Sequence, residues 1–394
     1  MRVGLLTWDY PPAPSGLSTA AREIAESLAG QGCDVTVFTQ DRMGEEQVGG
    51  VRIIGCKVQE SDALGWLRKR GAIGHLAGPW AFRAAVQRIH ARAPLDILEA
   101  TNWYAPAVLL AGSARLALVT RNSTPAAFSQ GPAKTLRDTL DNRAANALEK
   151  YQARHSAGLI SNTADHGNRI SALYGVDSTT PHAVIGLSLA PEVLARAEAA
   201  DYPEAQTPIR ILFVGRAEKR KGFDFLMDGA ARLASEVEAG ANGDFELVLV
   251  GVGEDDLSAD MPLSLRRRVR AMGRQPEDVL AREYASAHIV AAPSRYESFG
   301  LVYQEALAYG RPVVACALDA SAREFIGATK AGTLAADATG PDFADALRPL
   351  LASHDTRLAY RAAALKAASR FTRETLGRET LALYDKVLTR KTGA

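Results

Sequence analysis

The stretch HIVAAPSRYESFGLVYQEALAYGRPVVAC, residues 288–316, decides the fold. A short apolar run (288–293) passes through a polar loop into a helix predicted over 299–309. Gly310 then closes that helix as its C′ residue, and Pro312 lies just beyond, so the chain re-enters an apolar run at 311–316. Apolar runs this short, separated by a helix, read as parallel strands buried on both faces. Inside the unit sits ESFGLVYQE (297–305), with Glu297 ahead of the helix and Glu305 about one and a half turns into it. The amides of Phe299, Gly300 and Leu301 fall in the first turn, where N–H groups have no intrahelical partner and favour an anion. At this point two readings stand: a salt-bridged helix end, or a grip on both ends of a polar ligand.

The same alternation runs outward in both directions. RVGLLTW (2–8), DVTVFTQ (34–40), VRIIGC (51–56), DILEAT (96–101), LALVTRN (116–122) and AGLISN (157–162) form a first series of strands. STAAREIAESLA (18–29) has Ala21, Ile24, Ala25 and Leu28 at helical spacing and stops at GQG (30–32). A second series comprises IRILFVG (209–215), FELVLVG (245–251), VRAMG (269–273) and the two runs already quoted. Between them, residues 189–208 carry three prolines and no strand pattern, which reads as a linker. The expected organisation is a domain over 1–190, a linker over 191–208 and a second domain over 209–371. A C-terminal helix near 372–394, with Thr372 as its cap, is expected to pack back on the first domain. Two α/β domains with doubly wound parallel sheets, facing each other across a cleft, account for this with the fewest assumptions.

Composition bounds the function classes. A chain of 394 residues suits two domains. With a net charge of +1, no global field recruits nucleic acid. The three cysteines have neither metal-ligand nor redox spacing, and no apolar run approaches the roughly 20 residues of a membrane span. The expectation is a cytoplasmic protein. One local exception is basic: Arg52, Lys57, Arg68, Lys69, Arg70, Arg83, Arg88 and Arg92 face only Glu60 and Asp62. With Trp66, Trp80 and Phe82 interleaved, this stretch (51–92) reads first as a solvated helix with buried aromatics. An acidic or lipid-linked acceptor, or peripheral contact with the inner membrane face, are the alternatives.

Ligands of open parallel sheets bind beyond the carboxyl ends of the strands, so the strand-to-loop corners hold the candidates. DYPPAPSGLSTAAREIA (9–25) places Gly16 and Ser18 at a helix start, without the lysine of a P-loop or the glycines of a dinucleotide fingerprint. FVGRAEKRKGFDFL (213–226) offers Gly215, Arg216 and Lys221, a fork and a point charge suited to phosphate. LVGVGEDD (249–256) offers Gly251 and Gly253, where backbone can approach a flat ligand.

PSRYESFGLVYQEALAYGRPVVA, with FVGR…KG before it and the PP…SG loop at the N-terminus, resembles the signature of glycosyltransferase family four, the retaining GT-B enzymes. The likeness extends over essentially the whole chain and is strongest from Ile209 to Cys316. It implies a GT-B fold of two Rossmann-like domains. It also implies a hexosyltransferase-type enzyme that moves a sugar from a UDP- or GDP-sugar to a hydroxyl acceptor, polysaccharide, lipid-linked or a secondary metabolite.

By that resemblance Arg216 and Lys221 neutralise the diphosphate, and the amides of Ser298, Phe299, Gly300 and Leu301 cap it. Glu305 accepts from the ribose and Glu297 contacts the transferred sugar. Gly16, Gly215, Gly251, Gly253 and Gly273-Arg274 line the donor. No cofactor and no metal are implied, because cationic side chains take the metal's place, and the leaving phosphate itself accepts the acceptor's proton. Three positions depart from the family pattern. Ser15 stands for a glycine, DILEATNW offers Glu99 and Asn102 where relatives have histidine, and RNSTP has Ser123 for another. Non-catalytic binding of a nucleotide sugar, a GT-B phosphorylase or epimerase, and an oxidoreductase lacking its glycine fingerprint are the competing readings.

Overall fold

The computed structural model describes residues 1–392 apart from 114, 131–132, 205–207, 241–242 and 299. The chain divides into two units, Met1–Ser188 with Thr372–Ala394, and Leu189–Phe371. The stretch read as a linker is therefore not free chain: Pro191–Glu198 is a helix of the second unit, with proline in its first turn.

The first unit is built on β1 (Arg2–Thr7), β2 (Asp34–Thr39), β3 (Met43–Val48), β4 (Val51–Cys56), β5 (Ile97–Thr101), β6 (Ala117–Arg121), β7 (Gly158–Ser161) and β8 (His182–Val184). Their order is β3-β4-β2-β1-β5-β6-β7-β8. Neighbours run parallel except β3 and β4. The sequence reading missed β3 for a physical reason: MGEEQV is exposed along its whole length and has no apolar face. The signal that could have found it is Gly49-Gly50, both at positive φ, the two-residue turn of a hairpin.

The second unit is built on β9 (Ile209–Val214), β10 (Phe245–Val250), β11 (Val269–Gly273), β12 (Ile289–Ala292), β13 (Val313–Cys316) and β14 (Gly332–Ala335). All are parallel, in the order β11-β10-β9-β12-β13-β14. Ile209, Ile211 and Phe213 of β9 feed one apolar cluster, and Leu212 feeds another on the opposite face. Burial on both faces explains why these strands read as unbroken apolar runs.

Both sheets reverse direction once. In the first, β1 lies between β2 and β5; in the second, β9 lies between β10 and β12. These are the switch points at which adjacent loops diverge and leave a crevice beyond the strand ends.

The C-terminal helix, Arg373–Thr392, belongs to the first unit and is capped by Thr372, whose Oγ1 accepts from the Thr375 amide at 3.2 Å. It lies so close to helix Gly16–Gly30 that a Cβ on Gly377 would sit 2.6 Å from the Ser27 carbonyl oxygen. Beneath it Glu99 and Arg121 form a buried ion pair at 2.7 Å. Tyr384 donates to Glu99 at 2.6 Å, and Arg121 donates to Thr380 at 3.1 Å. Glu23, also buried, accepts from Arg373 at 2.7 and 2.8 Å and from Ser188 at 2.8 Å. It thereby binds the residues at which the chain leaves and re-enters this unit.

Glu99→Ala leaves Arg121 charged and buried without its partner, a loss of about 3–5 kcal/mol. Urea unfolding of the variant is expected to show that loss, and a midpoint unchanged from the parent would contradict the ion pair.

Candidate functional site

Two corners that lie 76 residues apart in the chain close on one another at the switch point of the second sheet. After β9 the chain makes a 3₁₀ turn, Lys219–Lys221, and reverses at Gly222, with φ +73°, into helix Phe223–Glu238. After β12 it runs through Pro293 to Glu297 before helix Leu301–Ala308. A Cβ on Gly222 would lie 1.9 Å from the Pro293 carbonyl oxygen, so only glycine fits this approach. The Arg295 amide donates to the Arg220 carbonyl at 2.9 Å, and Arg220 Nη1 donates to the Tyr296 carbonyl at 3.2 Å. Arg295 then forks onto Asp224 at 2.6 and 2.9 Å, tying the loop to the helix after Gly222.

The joint carries a carboxylate. Glu297 is nearly buried and accepts from Lys221 Nζ at 2.5 Å and from Ser294 Oγ at 2.6 Å, with Arg220 at 3.7 Å. Burial pushes its carboxyl up, but Lys221, Ser294 and Arg220 outweigh that and hold it below the usual glutamate range. It is ionised at neutral pH. Asp319 lies beneath, accepting from the Glu297 amide at 3.0 Å and from Tyr303 OH at 2.8 Å. Burial, and then the charge of Glu297, push it up to about 7.

Glu305 differs from Glu297. It is half-buried, one turn into helix Leu301–Ala308, and its Oε2 accepts from Tyr284 OH at 2.7 Å. Burial raises its carboxyl to about 7, against the opposing effect of that hydrogen bond. The two glutamates of one motif thus hold different protonation states, one fixed as an anion and one poised near neutrality.

Of the other residues singled out by sequence, Arg216 is 73% exposed and, among the described residues, forms an ion pair only with Glu218 of its own loop, at 2.7 Å. Gly215, Gly251 and Gly273 come side by side at the ends of β9, β10 and β11. Gly215 N–H donates to Val250 at 2.9 Å, and Gly251 N–H donates to Gly273 at 2.7 Å. A Cβ on Gly251 would lie 2.6 Å from the Gly215 oxygen. Gly253 uses its amide on Asp256 at 2.8 Å, and Arg274 is exposed beyond β11. The helix starts at Leu301, two residues later than expected. Gly300, at φ +61°, is its N-cap and no side chain caps it. Ser298 is buried, and Phe299 lies outside the described residues.

Gly16 belongs to the first unit. There helix Gly16–Gly30 begins two residues earlier than the sequence suggested, and Ser15 rather than Ser18 is at its cap. Ser15 Oγ accepts from the Ser18 amide at 3.0 Å and donates to Asp9 at 2.6 Å, so the Ser18 N–H is already bonded. Sequence reasoning missed Asp319, Tyr284, Ser294 and Arg220. Only Asp319 carried a local signal, as the N-cap of the turn Ala320–Ala322.

Glu99, Asn102 and Ser123, which the sequence reading set apart from the family pattern, are internally bonded. Glu99 is held by Arg121 beneath the C-terminal helix. Asn102 Oδ1 accepts from the Ser123 amide at 2.6 Å and from its hydroxyl at 2.9 Å, tying the end of β5 to that of β6.

Residues 15–186 match the family described as glycosyl transferase 4-like domain, and residues 208–353 match glycosyl transferases group 1. D-inositol 3-phosphate glycosyltransferase 1 of Catenulispora acidiphila is 33% identical over 229 residues, a match that spans 54% of this chain and 53% of that protein. D-inositol 3-phosphate glycosyltransferase of Jonesia denitrificans is 28% identical over 398 residues, 94% of this chain and 91% of that protein. Among solved structures, sucrose-phosphate synthase of Thermosynechococcus elongatus superposes with a TM-score of 0.73 at 19% identity, over 99% of each chain.

Gly222→Ala places a side chain at positive φ, a strain of about 1–2 kcal/mol before any clash with Pro293 is added. Thermal unfolding is expected to show a lowered melting temperature; an unshifted one would contradict the close approach of the two corners.

Proposed function

The chain is a glycosyltransferase of the GT-B fold, and we propose that it takes its sugar from a nucleotide diphosphate sugar and transfers it to a hydroxyl with retention at the anomeric carbon. The observation that carries this reading is the joint of the two corners at the sheet's switch point. There an exposed guanidinium, an ammonium and one carboxylate stand on adjacent loops, and the helix that follows brings an uncapped start and a second, differently charged carboxylate.

In the proposed scheme the diphosphate lies against Arg216, Lys221 and the first-turn amides of helix Leu301–Ala308. Negative charge grows on the leaving phosphate as the glycosidic bond breaks, and preorganised cations and N–H groups stabilise that charge. Gly215 and Gly251 let the backbone approach the nucleotide, and Arg274 flanks the base. Glu305, already accepting from Tyr284, takes a hydrogen bond from the ribose. Glu297 is kept anionic by Lys221 and accepts from hydroxyls of the transferred sugar. The leaving phosphate oxygen removes the acceptor's proton on the same face, which gives retention without a protein base. No metal takes part in this scheme.

Lys221 cannot be truncated innocently, because it neutralises a nearly buried carboxylate and its loss would disturb the joint itself. Arg216 is the cleaner test. Arg216→Ala is expected to keep its melting temperature while kcat falls about 10²–10³-fold, as when one transition-state donor is removed. Turnover at the parent rate would sink the diphosphate role, and neither transfer nor slow donor hydrolysis by the parent protein would overturn the reading as a whole.

Glu305 gives a pH signature. The ribose is bound by the ionised form, and the group titrates near 7 in the free protein. Binding therefore favours loss of its proton, and affinity for a nucleotide sugar is expected to rise as pH increases through 7. Glu305→Gln is expected to weaken that affinity by about 1.5–3 kcal/mol, roughly tenfold to a hundredfold, and to flatten the pH profile. Calorimetric titration between pH 6 and 8 measures both, and an unchanged affinity would count against the assignment.

A further inference from the structure

Three glutamates are buried in the first unit, and among the described residues Glu149 alone of them has no cationic partner. It sits on helix Leu136–Arg154, wholly shielded from solvent. Its two oxygens accept from the Tyr104 amide at 2.8 Å, the Ala126 amide at 3.1 Å and Tyr174 OH at 2.6 Å. These donors come from the loop after β5, the turn after β6 and the end of helix Ala164–Tyr174.

We propose that Glu149 is a positioning residue, whose carboxylate holds the turn at Tyr104–Ala105 in place and releases it on taking up a proton. Backbone strain is the first argument. Tyr104 and Ala105 have φ of +51° and +45°, two successive non-glycine residues in the left-handed region. Side-chain-bearing residues visit that region rarely and as single residues, so the turn persists only because its surroundings over-determine it. Glu149 holds one part of it. Gln152, three residues further along the same helix, holds the rest: it accepts from the Ala107 amide at 2.8 Å and donates to the Thr101 carbonyl at 2.9 Å. A side-chain amide does not change its charge, so the proton-sensitive part of the hold is Glu149.

What the turn carries is the second argument. Trp103 and Tyr104 meet edge to face with ring centroids 5.0 Å apart, and Trp8 Nε1 donates to the Trp103 carbonyl at 2.6 Å. These three aromatic side chains line a cavity of about 470 Å³ at the carboxyl ends of the first sheet's strands. In the transferase reading, on which this consequence alone rests, that wall meets the acceptor. Glu149 then acts on the reaction without touching either substrate, through the backbone it fixes.

The donor set supplies the third. On protonation one oxygen gains an O–H, yet the groups facing it are themselves donors. Tyr174 OH could accept, but it already does so from Asn102 Nδ2 at 3.2 Å. Hydrogen bonds to a charged acceptor are roughly twice as strong as neutral ones, so the two amides favour the ionised form and ionisation in turn favours their hold. Burial opposes ionisation and brings the carboxyl up to about 7. The hold is therefore complete above 7 and is lost as pH falls through it. The stability of the whole unit responds in the opposite sense, because the buried charge costs more as pH rises. Tyr174 is the titratable group that faces the carboxylate. His75 stacks on the Tyr104 ring with centroids 5.3 Å apart and lies 3.9 Å from Asp141, itself 3.7 Å from Arg137. Arg143 and Lys150 of the same helix are exposed.

Tryptophan fluorescence of the full chain tests this. Trp8, Trp66, Trp80 and Trp103 all lie in the first unit, away from Glu305 and Asp319 in the second. Between pH 6 and 8 the parent protein is expected to show a step in emission near 7. Glu149→Gln is expected to lose the step and to keep the spectrum of the parent's acid limb at every pH. At pH 8, hydrogen exchange across residues 102–107 is expected to be about tenfold faster in that variant, the loss of one charge-assisted hydrogen bond. Tyr174→Phe removes a donor to the ionised form, so it is expected to move the step to higher pH, and it serves if Glu149→Gln does not fold. His75→Asn is expected to keep the step. A parent without a step, a step that persists in Glu149→Gln, one unmoved by Tyr174→Phe or one abolished by His75→Asn would each overturn the proposal. Calorimetric titration with UDP-glucose and GDP-mannose separates the two readings. Glu149→Gln is expected to bind them as the parent does, and binding lost in the variant alone would overturn the local hold. A parent that shows the step and binds neither would keep the hold and remove the transferase scheme above.

Discussion

The second unit's site depends on one joint, the contact of residues 219–222 with residues 293–297. A glycine with no room for a side chain, one backbone hydrogen bond and an ion pair at 2.5 Å hold two separate corners as a single surface. The ion pair has two effects. It fixes the loops, and it keeps a nearly buried glutamate charged where burial alone would neutralise it. Without Lys221, Glu297 would resemble Asp319 beneath it, whose carboxyl burial pushes to about 7. The chemistry available at the switch point is therefore set by which carboxylate meets a cation and which meets only neutral donors.

The first unit uses buried carboxylates differently. Glu23, Glu99 and Glu149 are all buried, and each gathers segments remote in sequence. Glu23 binds Ser188 and Arg373; Glu99, through Arg121, fixes the C-terminal helix; Glu149 holds the Tyr104 turn and the start of the turn at Ala126. An ion pair of this kind adds little stability relative to an apolar pair, yet it is costly to break, and so it specifies position. Three of the residues read from the sequence as departures from the family pattern belong to this framework. Glu99, Asn102 and Ser123 are bonded inside it.

The basic stretch 51–92 divides in the structure. Phe82 is buried and Trp8 packs edge-on against it, as an amphipathic helix requires. Trp66 and Trp80 are about half exposed, at 59% and 49%, while Arg68 and Arg70 line a pocket together with Trp8 and Trp103. No helix among the described residues is long and apolar enough to cross a membrane.

Much was legible in the sequence because buried parallel strands must be continuous apolar runs and their crossovers must be helices. The strands from β1 to β13 were readable on that basis, apart from β3 and β8. Polar, exposed β3 and three-residue β8 carried no such pattern, nor did β14, because edge position removes the need for it. Within the site, Arg216, Lys221, Glu297 and Glu305 were legible because charge and glycine cluster at strand ends. Their partners were not. Tyr284, Ser294 and Arg220 are ordinary residues locally; the roles of Ser294 and Arg220 come from the crossing of loops 76 residues apart, and that of Tyr284 from the hydrogen bond its helix Glu277–Ser286 makes to Glu305. Sequence alone determined the alternation of strands and helices and the types of charge at their ends. Only the tertiary structure decided which carboxylate is ionised, because that depends on what packs against it, and packing joins residues that the chain keeps far apart.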